Sequence, residues 1–320
     1  MDSDHATAPN ERWTLPLVLI ALTFVSTTYV GAFMPEGASS FALPILGIAW
    51  PSHFAAGLAF SLPLMAILLA HEFGHYIAGR LHRAPLSPPY FIPMPFFLLG
   101  TMGAVIRMSG RIRTRNALFD VGAAGPLAGL AVAVPVLAYG LWISPVEAVT
   151  PGAAVLMEGR SLLYLGLLFL TKGPIPPDHD VFLSPTAFAG WAGLLVTMIN
   201  LLPVGQLDGG HVAYAYFGPR QDRYSSRFRR ALPLLTAVVG AAYGARAWLE
   251  GADSSRVLSE FAAGIHWLFW AGLLWLMTRL SGAAHPPTDD DRLSPGRRVL
   301  ARVTLALFIL LFMPSWIREG

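Results

Sequence analysis

Two histidines and a glutamate interrupt an otherwise apolar run in the first third of the chain. The run reads MAILLAHEFGHYIAGR, residues 65–80, and contains His71, Glu72 and His75. Residues four apart share a face of a helix, so both imidazoles can bind one metal ion. Glu72, next to the first histidine, is placed to take a proton from a water molecule beside that metal. The pattern indicates a catalytic zinc site, with a buried cluster of polar side chains as the alternative.

A catalytic zinc ion usually has three protein ligands and an open fourth position, so this run lacks one ligand. The best candidate is Asp208, in MINLLPVGQLDGGH, residues 198–211. Asp208 taken alone could equally be a turn residue, because Asp-Gly-Gly is a common turn sequence. His211 is a rival ligand further along the segment. Asn200 and Pro203 either break the preceding helix and orient groups near the metal, or simply end that helix.

The elements that must position these residues are expected to be membrane-spanning helices. Of the 320 residues, 54% are apolar and 13% are charged, so the chain is far more apolar than an average soluble domain. The absence of cysteine excludes thiolate ligands and a cysteine nucleophile. Because the last apolar run is short, we expect an all-α polytopic membrane protein with six or seven transmembrane helices. Runs long enough to cross a bilayer lie near 13–34, 54–80, 117–142, 182–203, 232–249, 262–280 and 300–316.

The 22 Lys and Arg residues are distributed unevenly among the loops. With a cytosolic N-terminus and seven spans, 17 of the 22 fall on the cytosolic side, as the positive-inside rule requires. The same topology places the three candidate ligands in the cytosolic half of the membrane. The net charge of +3 follows this topology rather than any nucleic-acid-binding motif, so no nucleic-acid partner is expected. The use of 21 arginines and one lysine indicates a GC-rich prokaryotic genome, and hence a prokaryotic cytoplasmic membrane.

A proline-rich apolar segment, residues 88–107, follows the HEFGH run. Its four prolines disfavour a helix. Its β-branched and aromatic residues favour a short β hairpin that dips into the membrane, where non-helical backbone is tolerated only beside protein or water. An apolar interfacial loop without a function is the alternative.

No segment outside the spans approaches the roughly 100 residues of a typical soluble domain. We therefore predict a single integral membrane domain, residues 1–320, with a chemical core at 55–215. Residues 231–320 would add transmembrane helices of unknown role. The run SLLYLGLLFL, residues 161–170, is too short to cross the bilayer and is expected to be an interfacial or re-entrant helix.

The motifs HEFGH and NLLPVGQLDGG together resemble those of the site-2 protease family of intramembrane zinc metalloproteases. The segment FDVGAAGPLAG, residues 119–129, is similar to the glycine-proline segment of that family. Its glycines are those expected where helices pack closely. The resemblance implies one Zn²⁺ per chain held by His71, His75 and Asp208. It also implies Glu72 as the catalytic base and Asn200 as a residue that assists catalysis or positions the substrate.

The resemblance further implies regulated intramembrane proteolysis of transmembrane protein substrates, such as a membrane-tethered regulator or an anti-sigma factor, in contact with membrane lipid. The 88–107 element would hold the substrate as an added strand. The chain has no room for an inserted PDZ domain or a nucleotide-sensing domain, so its regulation stays open. Two alternatives remain: a membrane zinc hydrolase with a non-peptide substrate, and a zinc-binding or zinc-transport protein. The scarcity of carboxylates and histidines in the other spans disfavours transport.

Overall fold

Long apolar runs fold as helices here, because a helix satisfies its own backbone polar groups where water is absent. The computed structural model describes residues 13–33, 50–84, 86–107, 110, 112–149, 156–281, 285–289 and 292–319. Within these residues the helices are α1 (Thr14–Ala32), α2 (Trp50–Leu81), α3 (Arg115–Ile143), α4 (Leu162–Lys172), α5 (Pro185–Asn200), α6 (Asp208–Phe217), α7 (Gln221–Leu249), α8 (Ser254–Phe261), α9 (Ile265–Ser281) and α10 (Pro295–Leu311).

The chain is a mostly helical integral membrane protein. In the described part, five helical segments are long and apolar enough to cross a membrane, fewer than the six or seven predicted. Two predicted spans fall on α5 and α10, which have 16 and 17 residues. At about 1.5 Å per residue these helices are ~24–26 Å long, shorter than a hydrocarbon core of ~30 Å. The five segments are Thr14–Ala32, Phe54–Leu81, Arg115–Ile143, Asp208–Leu249 and Ser254–Arg279.

The ends of α5 are set by local sequence. The Ser184 hydroxyl accepts a hydrogen bond from the Ala187 backbone N–H, and Pro185 occupies the first turn, where its missing N–H costs nothing. The helix ends at Asn200, three residues before Pro203, which cannot donate the next backbone hydrogen bond. Asn200 is thereby fixed at the helix terminus.

A two-stranded antiparallel hairpin occupies part of the segment 88–107. Strand β1 (Tyr90–Pro93) pairs with strand β2 (Thr101–Val105), with an irregularity after Phe91. The hairpin is anchored on α1, because the Ser26 hydroxyl donates to the Gly100 carbonyl at 2.6 Å. The side chains of Met102 and Val105 on β2 are more than half exposed.

Two further pairs of short strands lie at the far end of α3. Strand β3 (Val146–Ala148) pairs with β5 (His179–Val181), and β4 (Leu156–Glu158) pairs with β6 (Ile317–Glu319), both antiparallel. Arg160 joins the two pairs, because its guanidinium donates to Glu158 at 3.0 Å and to both carboxylate oxygens of Asp180 at 2.6 and 2.7 Å. The pairing of β6 with β4 holds residues 317–319 against the connection between α3 and α4.

The core is formed by α2, α3 and α5, which approach one another closely. Leu137 of α3 and Trp191 and Leu194 of α5 are completely buried. A Cβ placed on Gly190 would lie 2.6 Å from the Cα of Leu137, so the two backbones are nearly in contact. Helices in membranes commonly associate through small residues in this way, because the hydrophobic effect does not drive helix association inside a bilayer.

We expect Gly190→Val to destabilise the protein by about 1–3 kcal/mol or more, because the added carbons must separate α3 from α5. The check is the thermal unfolding midpoint of the detergent-purified protein. Gly272→Val on α9 is the matched control, since a Cβ there meets nothing within 4 Å. Equal midpoints for the two variants would contradict the close approach.

Candidate metal centre

Three side chains from two distant segments converge on one point. The Nε2 atoms of His71 and His75 are 3.2 Å apart, and the Oδ2 atom of Asp208 lies 3.3 Å from the first and 3.2 Å from the second. Both histidines are buried and Asp208 is partly buried. Among the described residues this is the group of three potential ligands close enough to share a metal ion.

The triangle has the size that a small tetrahedral metal ion requires. With metal–nitrogen and metal–oxygen bonds of about 2.0–2.1 Å, tetrahedral angles separate the ligand atoms by about 3.3–3.4 Å. The observed separations of 3.2–3.3 Å agree with this spacing. Two imidazoles and a carboxylate are also a donor set that zinc accepts, with a fourth position left for water or substrate.

Helix α2 delivers both histidines because they are one turn apart on the same face. The loop after α5 then returns the chain so that α6 begins at Asp208. A Cβ on Gly209 would overlap the carbonyl of Leu201, so this tight return needs a residue without a side chain. Asp-Gly-Gly thus forms the first turn of α6, where Gly209 permits the close approach to Leu201 and the Asp208 carboxylate lies beside the two histidines.

The imidazole of His75 is oriented by a backbone group of α3. Its Nδ1 donates to the Val121 carbonyl at 2.7 Å. With the proton on Nδ1, the Nε2 atom carries the lone pair that points into the triangle. Sequence reasoning could not find this partner, because a main-chain carbonyl has no residue-type signature.

The glycines of α3 pack against the ligands themselves. A Cβ on Gly125 would overlap the imidazole of His75, and one on Gly129 would lie 3.1 Å from the Cβ of His71. Close helix packing was the role expected for these glycines. The structure adds that the groups packed there are the two histidines.

Glu72 and Asn200 border the same point. The Glu72 side chain is 8% exposed and interacts electrostatically with His71, His75 and Asp208. Asn200, the last residue of α5, places its amide nitrogen 3.1 Å from the Nε2 atom of His71. The five residues singled out in the sequence are thus together in space.

The rival ligand His211 is engaged elsewhere. It lies one turn beyond Asp208 on α6, and its Nδ1 atom is 2.7 Å from the Nε2 atom of His285. His285, in the connection between α9 and α10, was not singled out in the sequence. No motif surrounds it, and it lies 74 residues from its partner.

The helices and the converging side chains define a membrane protein with a candidate metal centre. The sequence profile of peptidase family M50 matches residues 59–241, more than half of the chain. The match begins in α2, includes all three ligand candidates and ends within α7. The chain therefore belongs to peptidase family M50, the site-2 protease family.

Individual relatives carry related names. "Probable zinc metalloprotease EGY1, chloroplastic" of Oryza sativa subsp. japonica is 39% identical over 162 residues, which cover 48% of this chain and 27% of that protein. The protein of the same name from Arabidopsis thaliana is 37% identical over 171 residues, or 51% and 30% of the two chains. "Probable zinc metalloprotease EGY2, chloroplastic" of A. thaliana is 31% identical over 163 residues, or 51% and 29%. This chain thus spans less than a third of the length of these relatives. No solved structure matches it.

Gly125→Ala is expected to reduce the metal content of the purified protein strongly, because the added methyl group would displace the His75 ring from the triangle. The measurement is the transition-metal content per chain after purification in detergent. Gly166→Ala on α4 is the control, since a Cβ there has no neighbour within 4 Å. Wild-type metal content in a folded Gly125→Ala variant would contradict the assigned site.

Proposed function

We propose that this protein is an intramembrane zinc metalloendopeptidase that hydrolyses peptide bonds of membrane-protein substrates. The observation that carries the proposal is the triangle of His71, His75 and Asp208, built at metal-binding spacing between helices of a membrane protein. Family membership supports it, as do the names of the relatives, which are called probable zinc metalloproteases.

The proposed roles follow from position. His71, His75 and Asp208 hold one Zn²⁺ per chain. When bound, zinc would polarise the scissile carbonyl and lower the pKa of its bound water toward about 7. Glu72, adjacent to the first ligand, accepts the proton of the attacking water and returns it to the amine leaving group.

Asn200 is proposed to position the substrate. Its amide nitrogen is 3.1 Å from the Nε2 atom of His71, so it lies at the edge of the ligand triangle. From there an N–H group can donate to an oxygen of the peptide bond as negative charge develops on it. This role requires only the side-chain amide and no titration.

The hairpin is proposed to bind the substrate as an extended strand. A transmembrane helix hides its backbone, so it must unwind before a peptide bond can be attacked. An exposed strand edge can pair with the unwound segment. Strand β2 has exposed side chains at Met102 and Val105, and Phe96 in the connecting loop is 82% exposed. An apolar tip of this kind suits a hairpin that dips into the membrane.

The proposed arrangement is a single membrane domain with a cytosolic N-terminus, a proteolytic core at 55–215 and additional helices after 231. In this arrangement the two shorter helices α5 and α10 also cross the membrane, because a bilayer can thin locally around a short span, which makes seven spans. The charge asymmetry supports that orientation, with 17 of 22 Lys and Arg on the cytosolic side. The arginine bias supports a prokaryotic cytoplasmic membrane, although the relatives named above are called chloroplastic. A single-pass, membrane-tethered regulator such as an anti-sigma factor is the proposed substrate class.

Glu72→Gln is expected to lower cleavage of a tagged single-pass membrane protein by about 10²–10⁴-fold, because the amide cannot accept the proton of water. Metal content should stay at the wild-type level, since Glu72 is not among the three ligand candidates. Cleavage and bound zinc are measured on the same detergent-purified samples.

Glu147→Gln, at an exposed position of β3, is the matched control and should cleave like wild type. A fully active Glu72→Gln variant would exclude Glu72 as the base. Zinc-loaded wild type that cleaves no membrane substrate would favour a hydrolase of a non-peptide substrate.

A further inference from the structure

The connection between α9 and α10 is hydrogen-bonded to the N-terminal part of α3, the helix that packs against the metal centre. Its described residues are 285–289 and 292–294, and it continues into the first turn of α10. The Asp289 N–H donates to the Arg113 carbonyl at 2.8 Å, and the Ser294 N–H donates to the side-chain oxygen of Asn116 at 3.0 Å. The guanidinium of Arg297 donates to both oxygens of Asp120 at 2.8 and 2.7 Å. All three partners lie in α3 or directly before it.

His285 makes a buried contact between this connection and the helices α6 and α7. Its side chain is 6% exposed, and its ring stacks on Tyr214 of α6 with centroids 4.1 Å apart. Its backbone N–H donates to the carboxylate of Asp222 at 3.0 Å. His285 is therefore held by α6 on one side and by the start of α7 on the other.

The hydrogen bonds of His285 define the protonation of the His211–His285 pair. The Nδ1 atom of His285 is 2.8 Å from the Pro286 carbonyl, which can only accept, so the proton of His285 lies on Nδ1. Its Nε2 atom then accepts from Nδ1–H of His211 at 2.7 Å. Burial lowers the pKa of His285, which agrees with a neutral ring. The two rings are thus joined by a hydrogen bond with His211 as the donor and His285 as the acceptor.

His211 is enclosed between this contact and α3. A Cβ placed on Gly122 would lie 2.8 Å from the Cβ of His211 and 3.3 Å from the carbonyl oxygen of Asp208. The first turn of α6 is therefore pressed against Gly122 from one side and held by His285 from the other. Asp208 is the first residue of that turn, so this enclosure sets the position of its carboxylate.

We propose that His285 is a positioning residue for the metal centre: by holding His211 against α3, it fixes the first turn of α6 and hence the reach of the Asp208 carboxylate to His71 and His75. The inference rests on the proposed function, because it assumes that the three residues hold zinc. Ligand atoms must be placed within a few tenths of an ångström, so a small rotation of α6 weakens the site. His285 thus supports the metal centre without contacting the metal.

The test is the zinc affinity of the full-length, detergent-purified protein, measured by competition with a chelator. Circular dichroism first establishes that each variant is folded. His285→Ala should weaken zinc binding about 10–100-fold, the usual effect of losing a residue that orients a ligand. The absorption bands of the Co²⁺-substituted protein should shift, because they report ligand geometry. His285→Gln should recover most of the affinity, since its side-chain oxygen can accept from His211.

Two additional variants separate positioning from general stability. The double variant His211→Ala, His285→Ala should bind zinc no more weakly than the weaker single variant, because both act through one contact. Asp222→Ala, which removes the acceptor of the His285 N–H and leaves both imidazoles unaltered, should shift the affinity in the same direction and serves if His285→Ala does not fold. His179→Ala, at an exposed position of β5, is the matched control.

Unchanged zinc affinity and an unchanged Co²⁺ spectrum in folded His285→Ala or Asp222→Ala, beside a zinc-loaded wild type, would overturn this inference alone. Wild type that binds no zinc would overturn the proposed function and this inference with it.

Discussion

Polar side chains enclosed by membrane helices must find hydrogen-bond partners or share a cation, because the bilayer core holds no water to solvate them. The arrangement of the helices around the site depends on this constraint. An unpaired polar group in an apolar interior costs several kcal/mol. His71, His75 and Asp208 avoid this cost by converging within 3.3 Å of one another at a point where a cation can neutralise the carboxylate. Convergence requires a helix that carries both histidines, a second segment that returns tightly to deliver the aspartate, and a third helix against which both can be placed. These requirements account for α2, the start of α6, and α3.

Helix α3 is the common surface of the site. Its Val121 carbonyl sets the proton of His75, and its glycines leave the space that the two imidazoles occupy. One turn away, Gly122 receives the first turn of α6. The absence of side chains on this face therefore has a chemical consequence, because a single methyl group would move a ligand. A glycine-rich segment in a membrane helix is usually explained by helix association alone; here the same close packing also leaves the space that the imidazoles of His71 and His75 occupy.

The C-terminal helices are joined to the core at both ends of α10. At one end β6 pairs with β4, close to the ion pairs of Arg160. At the other end the connection before α10 bonds to α3 and α6. The N-terminal end of α10 is therefore bonded to the elements that carry the candidate site. The proposed core at residues 55–215 is thus in contact with the connection before α10 and with β6.

The amino-acid sequence by itself determined which side chains are candidates for the proposed chemistry: the spacing of His71 and His75 places both on one helix face, and Asp208 of the Asp-Gly-Gly motif supplies a carboxylate. Each apolar run predicted as a span also contains a helix, although only five helical segments of the described residues are long and apolar enough to cross a membrane. Only the tertiary structure decided the partners that carry no residue-type signal. These are the Val121 carbonyl, the contact of His285 with His211, and the pairing of β4 with β6. Each of these contacts joins groups that are far apart in the chain. Its formation therefore depends on how the helices pack, which the local sequence does not determine.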